Sequence, residues 1–187
     1  MEYTRLLIKF TRPIVRELFE NTLRNVLEVE IDIEWNHKDN SAQIEIYNFD
    51  HNTQNLQTLF MTLGNDFNTS LTIFNVPFFD EFIYKLFENI KSPGVYNAYG
   101  VLLQMLINQE IKKEEIPDYL SKVSKEALDM IQVYISTGLN GKLTSELLYV
   151  HRNTMIYRIN QFVEKTGIDI RQLYNANFVY LLILLQK

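Results

Sequence analysis

Residues 143–165, LTSELLYVHRNTMIYRINQFVEK, constrain this chain more than any other stretch. They read as two short helices joined by a tight corner. Leu147 and Leu148 close the first helix and Val150 fills the corner. Met155, Ile159 and Phe162 with Val163 recur at the three-to-four-residue spacing that gives the second helix one apolar face. That face must pack inward, so the opposite face, with Arg152, Asn153, Tyr157, Arg158 and Asn160, must look outward. Arg152 and Asn153 fall in the opening turn, where a helix-turn-helix unit offers side chains to the base edges and phosphates of DNA.

Each of these residues also has a structural reading. His151 stands where a polar side chain caps a helix, and the same position allows a phosphate or base contact. Asn153 suits a cap, a bidentate contact to adenine or a phosphate contact. Arg152 and Arg158 are solvated charges or DNA contacts, and Tyr157 can pack its ring while its hydroxyl reaches a phosphate.

The string His151-Arg152-Asn153-Thr154-Met155-Ile156-Tyr157-Arg158-Ile159, followed by Thr166-Gly167-Ile168-Asp169-Ile170, resembles the C-terminal helix-turn-helix of the PucR/CdaR family of bacterial transcription regulators. The resemblance extends upstream through Leu148 and Thr144 and downstream into Phe178-Val179-Tyr180-Leu181, the C-terminal third of the chain. Two positions depart from the family pattern: Ser145 replaces a small Ala in the first helix, and Lys142 stands where the family often has a capping Ser. The second departure leaves the cap to Asn140 or to the Gly141 backbone. The resemblance implies a sequence-specific DNA-binding regulator with a recognition helix over about 152–164 in the major groove. Its contact set would be His151, Arg152, Asn153, Thr154, Tyr157 and Arg158.

Charge supports this placement. The chain has a net charge of −5, but residues 1–120 hold ten Lys and Arg against 18 Asp and Glu, whereas residues 121–187 hold eight against five. The cations therefore sit on the part that resembles a DNA reader. The excess is small, so affinity for DNA should fall with salt, and a dimer that doubles the phosphate contacts would strengthen it.

The N-terminal half alternates elements. Residues 3–10 read as a strand. Pro13 suits a helix's first turn, and Ile14, Leu18, Leu23 and Leu27 give that helix an apolar face. Over residues 28–35, Val29, Ile31, Ile33 and Trp35 alternate with Glu28, Glu30, Asp32 and Glu34, a strand with one buried face and one acidic, wet face. A turn at 37–40 and a second alternating strand over 42–49 complete a hairpin. Leu56, Leu59, Phe60 and Leu63 space a helix ending near Gly64, and residues 71–76 form another strand. This βαββαβ order is that of a ferredoxin-like unit, so the fold class is α+β, an N-terminal α/β unit followed by helices and an all-α helix-turn-helix domain.

The family resemblance also implies a degenerate GGDEF-like domain upstream, with Leu63-Gly64-Asn65-Asp66-Phe67 as the similar segment. The chain has no GG-acidic-acidic-F motif, so cyclase activity is not implied. The same topology serves small-molecule-sensing domains, and both readings stand at this point.

From Phe78 the chain turns helical. Phe79, Phe82, Ile83, Leu86, Phe87 and Ile90 make one stripe, stopped by Ser92-Pro93-Gly94, and Val101, Leu102, Met105 and Leu106 make another. The polar connector over 110–117 places the domain boundary between 112 and 113, giving a dimerisation or sensing domain over 1–112 and a DNA-binding domain over 113–187. Ser124 caps a helix to about Ser136 with Leu128, Ile131, Tyr134 and Ile135 inward, and Gly138 ends it. The aromatic stripe and the apolar run 178–185 read as core, with a subunit interface as the companion reading.

The exclusions are broad. The absence of Cys removes disulfides and thiol chemistry and fits a reducing compartment. The first residues carry no secretory signal and the longest apolar run is too short for a membrane span, so a cytoplasmic protein is expected. The acidic strand face and the nearby His37 and His51 lack metal-ligand spacing. No phosphate loop, nucleophile elbow or zinc-protease motif occurs, so neither an enzyme nor a cofactor is expected. Double-stranded DNA, a second copy of the chain and a small-molecule effector are the expected partners. The competing class is a protein-interaction or metabolite-sensing module whose helix-turn-helix serves packing alone.

Overall fold

The alternating segments assemble into one twisted sheet. A computed structural model describes residues 3–36, 39–47 and 53–186. The tip of the expected 37–40 turn, the end of the second alternating strand and His51 lie outside the described residues. Within them the order is β1 (Tyr3–Phe10), α1 (Arg16–Leu27), β2 (Ile31–Trp35), β3 (Ser41–Tyr47), α2 (Thr53–Asp66), β4 (Leu71–Val76), α3 (Glu81–Glu88) and β5 (Gly94–Asn97). The sheet runs β2-β3-β1-β4-β5, antiparallel except for the β4–β5 pair. The first four strands are the ferredoxin-like unit; β5 is an addition at its edge.

Register explains the core. Leu6 faces Ile44, which faces Ile33, and Ile8 faces Ala42, which faces Trp35, so these side chains share one face of the sheet. Phe19 and Leu23 of α1 and Phe60 and Leu63 of α2 pack on that face. Phe19 is central: its ring meets Phe10 edge-on at 5.0 Å, Phe67 at 5.5 Å and Trp35 at 6.0 Å. On the other face Phe74 stacks on Phe87 of α3 at 5.9 Å, while Asp32 and Glu34 of β2 stay exposed.

Several local expectations shift. Helix α1 begins at Arg16, so Pro13 precedes it rather than occupying its first turn, and the buried pair is Phe19 and Leu23, with Leu18 exposed. Strand β2 starts at Ile31 because Glu28 ends α1 in the left-handed region, its amide donating to Arg24 O at 3.1 Å. Helix α2 ends at Asp66, two residues past Gly64. Strand β5, absent from the sequence reading, pairs Val95 with Ile73 and Tyr96 with Phe74.

The chain divides into two compact units, Met1–Ala98 and Tyr99–Lys187. That division lies upstream of the 112/113 boundary drawn from polarity, because the polar connector is tied to the helix before it. Glu110 N–H donates to Met105 O and Gln109 N–H to Leu106 O, closing α4 (Ala98–Ile107) with a Schellman-type cap. Ile111 is buried, and the Glu115 carboxylate accepts from Lys112 N–H at 2.9 Å to cap a 3-10 turn.

The second unit continues with α5 (Lys125–Ser136), α6 (Gly141–Leu147), α7 (Arg152–Thr166) and α8 (Leu173–Leu185). Helix α5 touches α6, α7 and α8, and its Met130, Ile131 and Tyr134 are buried. Leu128 and Ile135, expected inward, are only half-buried, and Met130 takes the central place. Phe178, Val179 and Leu182 of α8 are buried in the same unit. Each fully buried aliphatic or aromatic side chain contributes about 1.5–3 kcal/mol, which is what a unit this small requires.

Candidate nucleic-acid interface

Helix α6 starts because Asn140 caps it: its side-chain oxygen accepts from Leu143 N–H at 3.1 Å, replacing the family's capping Ser. Thr144 is wholly buried beside α5. Its hydroxyl lies 2.8 Å from Asn140 O and 2.7 Å from the Thr137 hydroxyl, and this pair links the end of α5 to α6. Ser145, where the family pattern has Ala, is also buried, and its hydroxyl donates to Lys142 O at 2.9 Å, so the extra polar atom has a partner. Leu147 and Leu148 close α6 as its last residue and its cap, with Leu147 56% exposed and Leu148 and Val150 half-buried.

The corner after α6 is made by Tyr149, whose backbone is left-handed at φ +52° and whose side chain is 96% exposed. A non-glycine residue held there costs about 1–2 kcal/mol. The turn that aims α7 away from α6 requires it, and Val150 N–H accordingly donates to Ser145 O.

Helix α7 opens on His151. Its Nδ1 accepts from Asn153 N–H at 3.2 Å, so the imidazole is the cap, and the residue is exposed. Met155, Ile159 and Phe162 turn inward, and the Gly141 backbone sits against Met155, where an added Cβ would lie 3.5 Å from its Cε. The helix stops at Gly167, φ +71°, a left-handed cap whose amide donates to Val163 O. The Thr166-Gly167-Ile168-Asp169-Ile170 string then has a physical account. Thr166 Oγ1 donates to Phe162 O and accepts from Ile168 N–H. Ile168 and Ile170 are wholly buried, and Asp169 accepts two side-chain N–H bonds from Arg171.

With that face committed, Arg152, Asn153, Thr154, Ile156, Tyr157 and Asn160 face outward. No acidic residue stands in the first turn of α7, so the positive end of the helix dipole and Arg152 share one open end. Among the described residues Arg152 has no ion-pair partner. Arg158 differs: it is half-buried, and its Nη2 lies 3.0 Å from Glu126 Oε1 in the first turn of α5. The Tyr157 hydroxyl accepts from Gln161 Nε2 at 2.7 Å, which holds the phenol along the helix. Of the six residues drawn from sequence, five are thus exposed at the cap and in the first turns of α7, and the sixth, Arg158, is half-buried beside a carboxylate. Sequence reasoning missed Ile156, Tyr149 and Glu126. Ile156 was visible in principle, since it falls between the Met155 and Ile159 positions of the inward stripe, one helical turn after Arg152 and one before Asn160.

Comparison with known proteins gives a consistent frame. Residues 127–182 match the PucR C-terminal helix-turn-helix domain. The chain is 26% identical over 190 residues to the Bacillus subtilis protein YxkF, covering 91% of this chain and 64% of that one. It is 29% identical over 105 residues to the proline-responsive transcriptional activator PutR of Bacillus subtilis, covering 56% of this chain and 23% of the relative. The chain therefore spans less than two thirds of the length of either relative. A solved structure, the regulator of polyketide synthase expression from Bifidobacterium adolescentis, is similar over 97% of this chain and 78% of that one, with 15% identity and a TM-score of 0.40. No helix among the described residues is long and apolar enough to cross a membrane.

Proposed function

We propose, from the premise that residues 127–182 form a PucR C-terminal helix-turn-helix domain, that this chain is the DNA-reading part of a transcriptional regulator. Helix α7 enters the major groove with its first turns against the base edges. The observation that carries this reading is the exposed, acid-free opening turn of α7, where Arg152 stands without a carboxylate partner among the described residues while its neighbours Met155 and Ile159 anchor the helix. Arg152 and Asn153 reach bases or phosphates, and His151 and Thr154 lie where they reach the backbone. Tyr157 extends along the strand, and Arg158 engages a phosphate after leaving Glu126.

Two copies acting together would set two such helices in successive major grooves about 34 Å apart, which offsets the modest positive charge of one. The N-terminal unit supplies dimerisation or effector sensing in this scheme. A relative named as a proline-responsive activator supports a small-molecule effector, and the scheme places the action in the cytoplasm.

Selection from a random duplex pool, followed by titration of the selected site across a salt series, tests the proposal. A DNA reader enriches a preferred sequence and loses affinity linearly in log salt, and Arg152→Ala weakens the selected site by about 1–3 kcal/mol if the guanidinium reads a base. Absence of enrichment together with absence of salt dependence would leave the helix-turn-helix as a packing or protein-interaction device.

A further inference from the structure

We infer that Ile156 is a specificity-determining residue that reads a thymine through its C5 methyl group; the inference rests on α7 being the recognition helix. Ile156 is 45% exposed and lies where the outward face of α7 borders the buried stripe, with Arg152 and Asn153 one turn before it, Tyr157 beside it and Asn160 one turn after. It is not part of the helix's core contact, which Met155, Ile159 and Phe162 provide at 1%, 5% and 1% exposure. A lone exposed aliphatic residue needs no explanation on an ordinary surface. Here its exposed flank adjoins Arg152, Asn153, Tyr157 and Asn160, on the face proposed to meet the edges of base pairs, while its other flank adjoins Ile159.

The major groove offers one methyl group, thymine's, and apart from small ring C–H edges the other groups at its floor are hydrogen-bond donors or acceptors. An isoleucine facing that floor gains most from a methyl; opposite any other base it covers a donor or acceptor without satisfying it. Its β-branch adds precision, because a helical isoleucine holds essentially one χ1 rotamer and loses little freedom on docking. A polar neighbour helps by being committed elsewhere. Tyr157 accepts from Gln161 at 2.7 Å, so its ring does not swing across Ile156 without breaking that bond.

The experiment uses the full chain and the duplex recovered by selection. Each thymine of the preferred site is replaced in turn by deoxyuridine, which lacks only the methyl, and affinities are measured for wild type, Ile156→Ala and Ile156→Val. One thymine position per half-site should show about a fourfold loss with wild type, the ratio that burial of a single methyl is worth. The same replacement should cost Ile156→Ala nothing and Ile156→Val an intermediate amount, with melting temperatures equal across the three proteins. If no deoxyuridine position affects wild type, or if Ile156→Ala retains the full loss, Ile156 does not read a methyl, even though α7 binds DNA. Failure to recover any preferred duplex overturns the recognition-helix reading itself, and with it this inference.

Discussion

Glu126→Gln should tighten DNA binding while slightly weakening the fold. In the free protein Glu126 Oε1 lies 3.0 Å from Arg158 Nη2, with the two side chains 77% and 32% exposed. An ion pair this open contributes no more than about 1 kcal/mol to stability. Glu126 also stands in the first turn of α5, where a carboxylate gains about 0.3–1 kcal/mol from the helix dipole. Glutamine keeps an acceptor for Arg158 and loses only the charge, so the loss of stability should stay below about 1.5 kcal/mol.

On DNA the account reverses. A phosphate held by Arg158 would lie about 6 Å from the Glu126 carboxylate, and two like charges at that separation in water repel by roughly 0.7 kcal/mol. Screening at physiological salt, where the Debye length is about 8 Å, trims this further. The substitution should therefore raise affinity about two- to threefold near 50 mM salt and less near 200 mM, read by fluorescence anisotropy on the selected duplex. In an Arg158→Ala background the gain should shrink, because the remaining effect is the long-range removal of one negative charge. Unchanged or weakened binding by Glu126→Gln at low salt would refute the placement of Arg158 at the DNA backbone.

Other consequences concern the scaffold. Gly167→Ala meets open space but forces a Cβ onto φ +71°, so it should cost about 1–2 kcal/mol and lower the melting temperature of the second unit. Thr144→Val preserves shape but removes the hydroxyl pair at 2.7 Å, while Asn140 O keeps the Thr144 N–H and the Thr137 hydroxyl keeps Tyr134 O, so it should cost about 1 kcal/mol; a neutral result would mean the pair does not link α5 to α6. Phe162→Ala removes a ring 1% exposed and should cost about 3–5 kcal/mol, abolishing DNA binding with the fold, as circular dichroism would report. The Tyr47 hydroxyl bonds the Asp32 carboxylate at 2.9 Å with Glu45 close by, and this pushes its pKa up to about 12. The fold therefore favours the neutral phenol, so its contribution is complete below pH 10 and is lost as pH rises through about 12. Absorbance titration of wild type against Tyr47→Phe should isolate that transition, and Asp32→Asn should move it to lower pH.

Much of this architecture follows from local rules in the amino-acid sequence. Strict alternation over residues 31–35 and 41–47 determines a half-buried hairpin because a strand's side-chain period is two. The three-to-four spacing of Met155, Ile159 and Phe162 determines which side of α7 turns inward, and so which residues can meet DNA. His151, Asn140, Ser124 and Gly167 mark helix ends through chemistry carried within a few residues.

Long-range contacts decided the rest. Strand β5 is four residues long and has no pattern of its own; it exists because β4 presents an unpaired edge for it to join. Polarity placed a boundary at 112/113, whereas backbone bonds from Gln109 and Glu110 to α4 keep that connector within the second unit. Arg152 and Arg158 look alike in one dimension, yet one stands open and the other lies under a carboxylate from residue 126, which only the packing of α5 against α7 brings within 3.0 Å. Helical periodicity assigns a residue to a face; what occupies the space beyond that face depends on segments distant in the chain, and these meet only when the core closes.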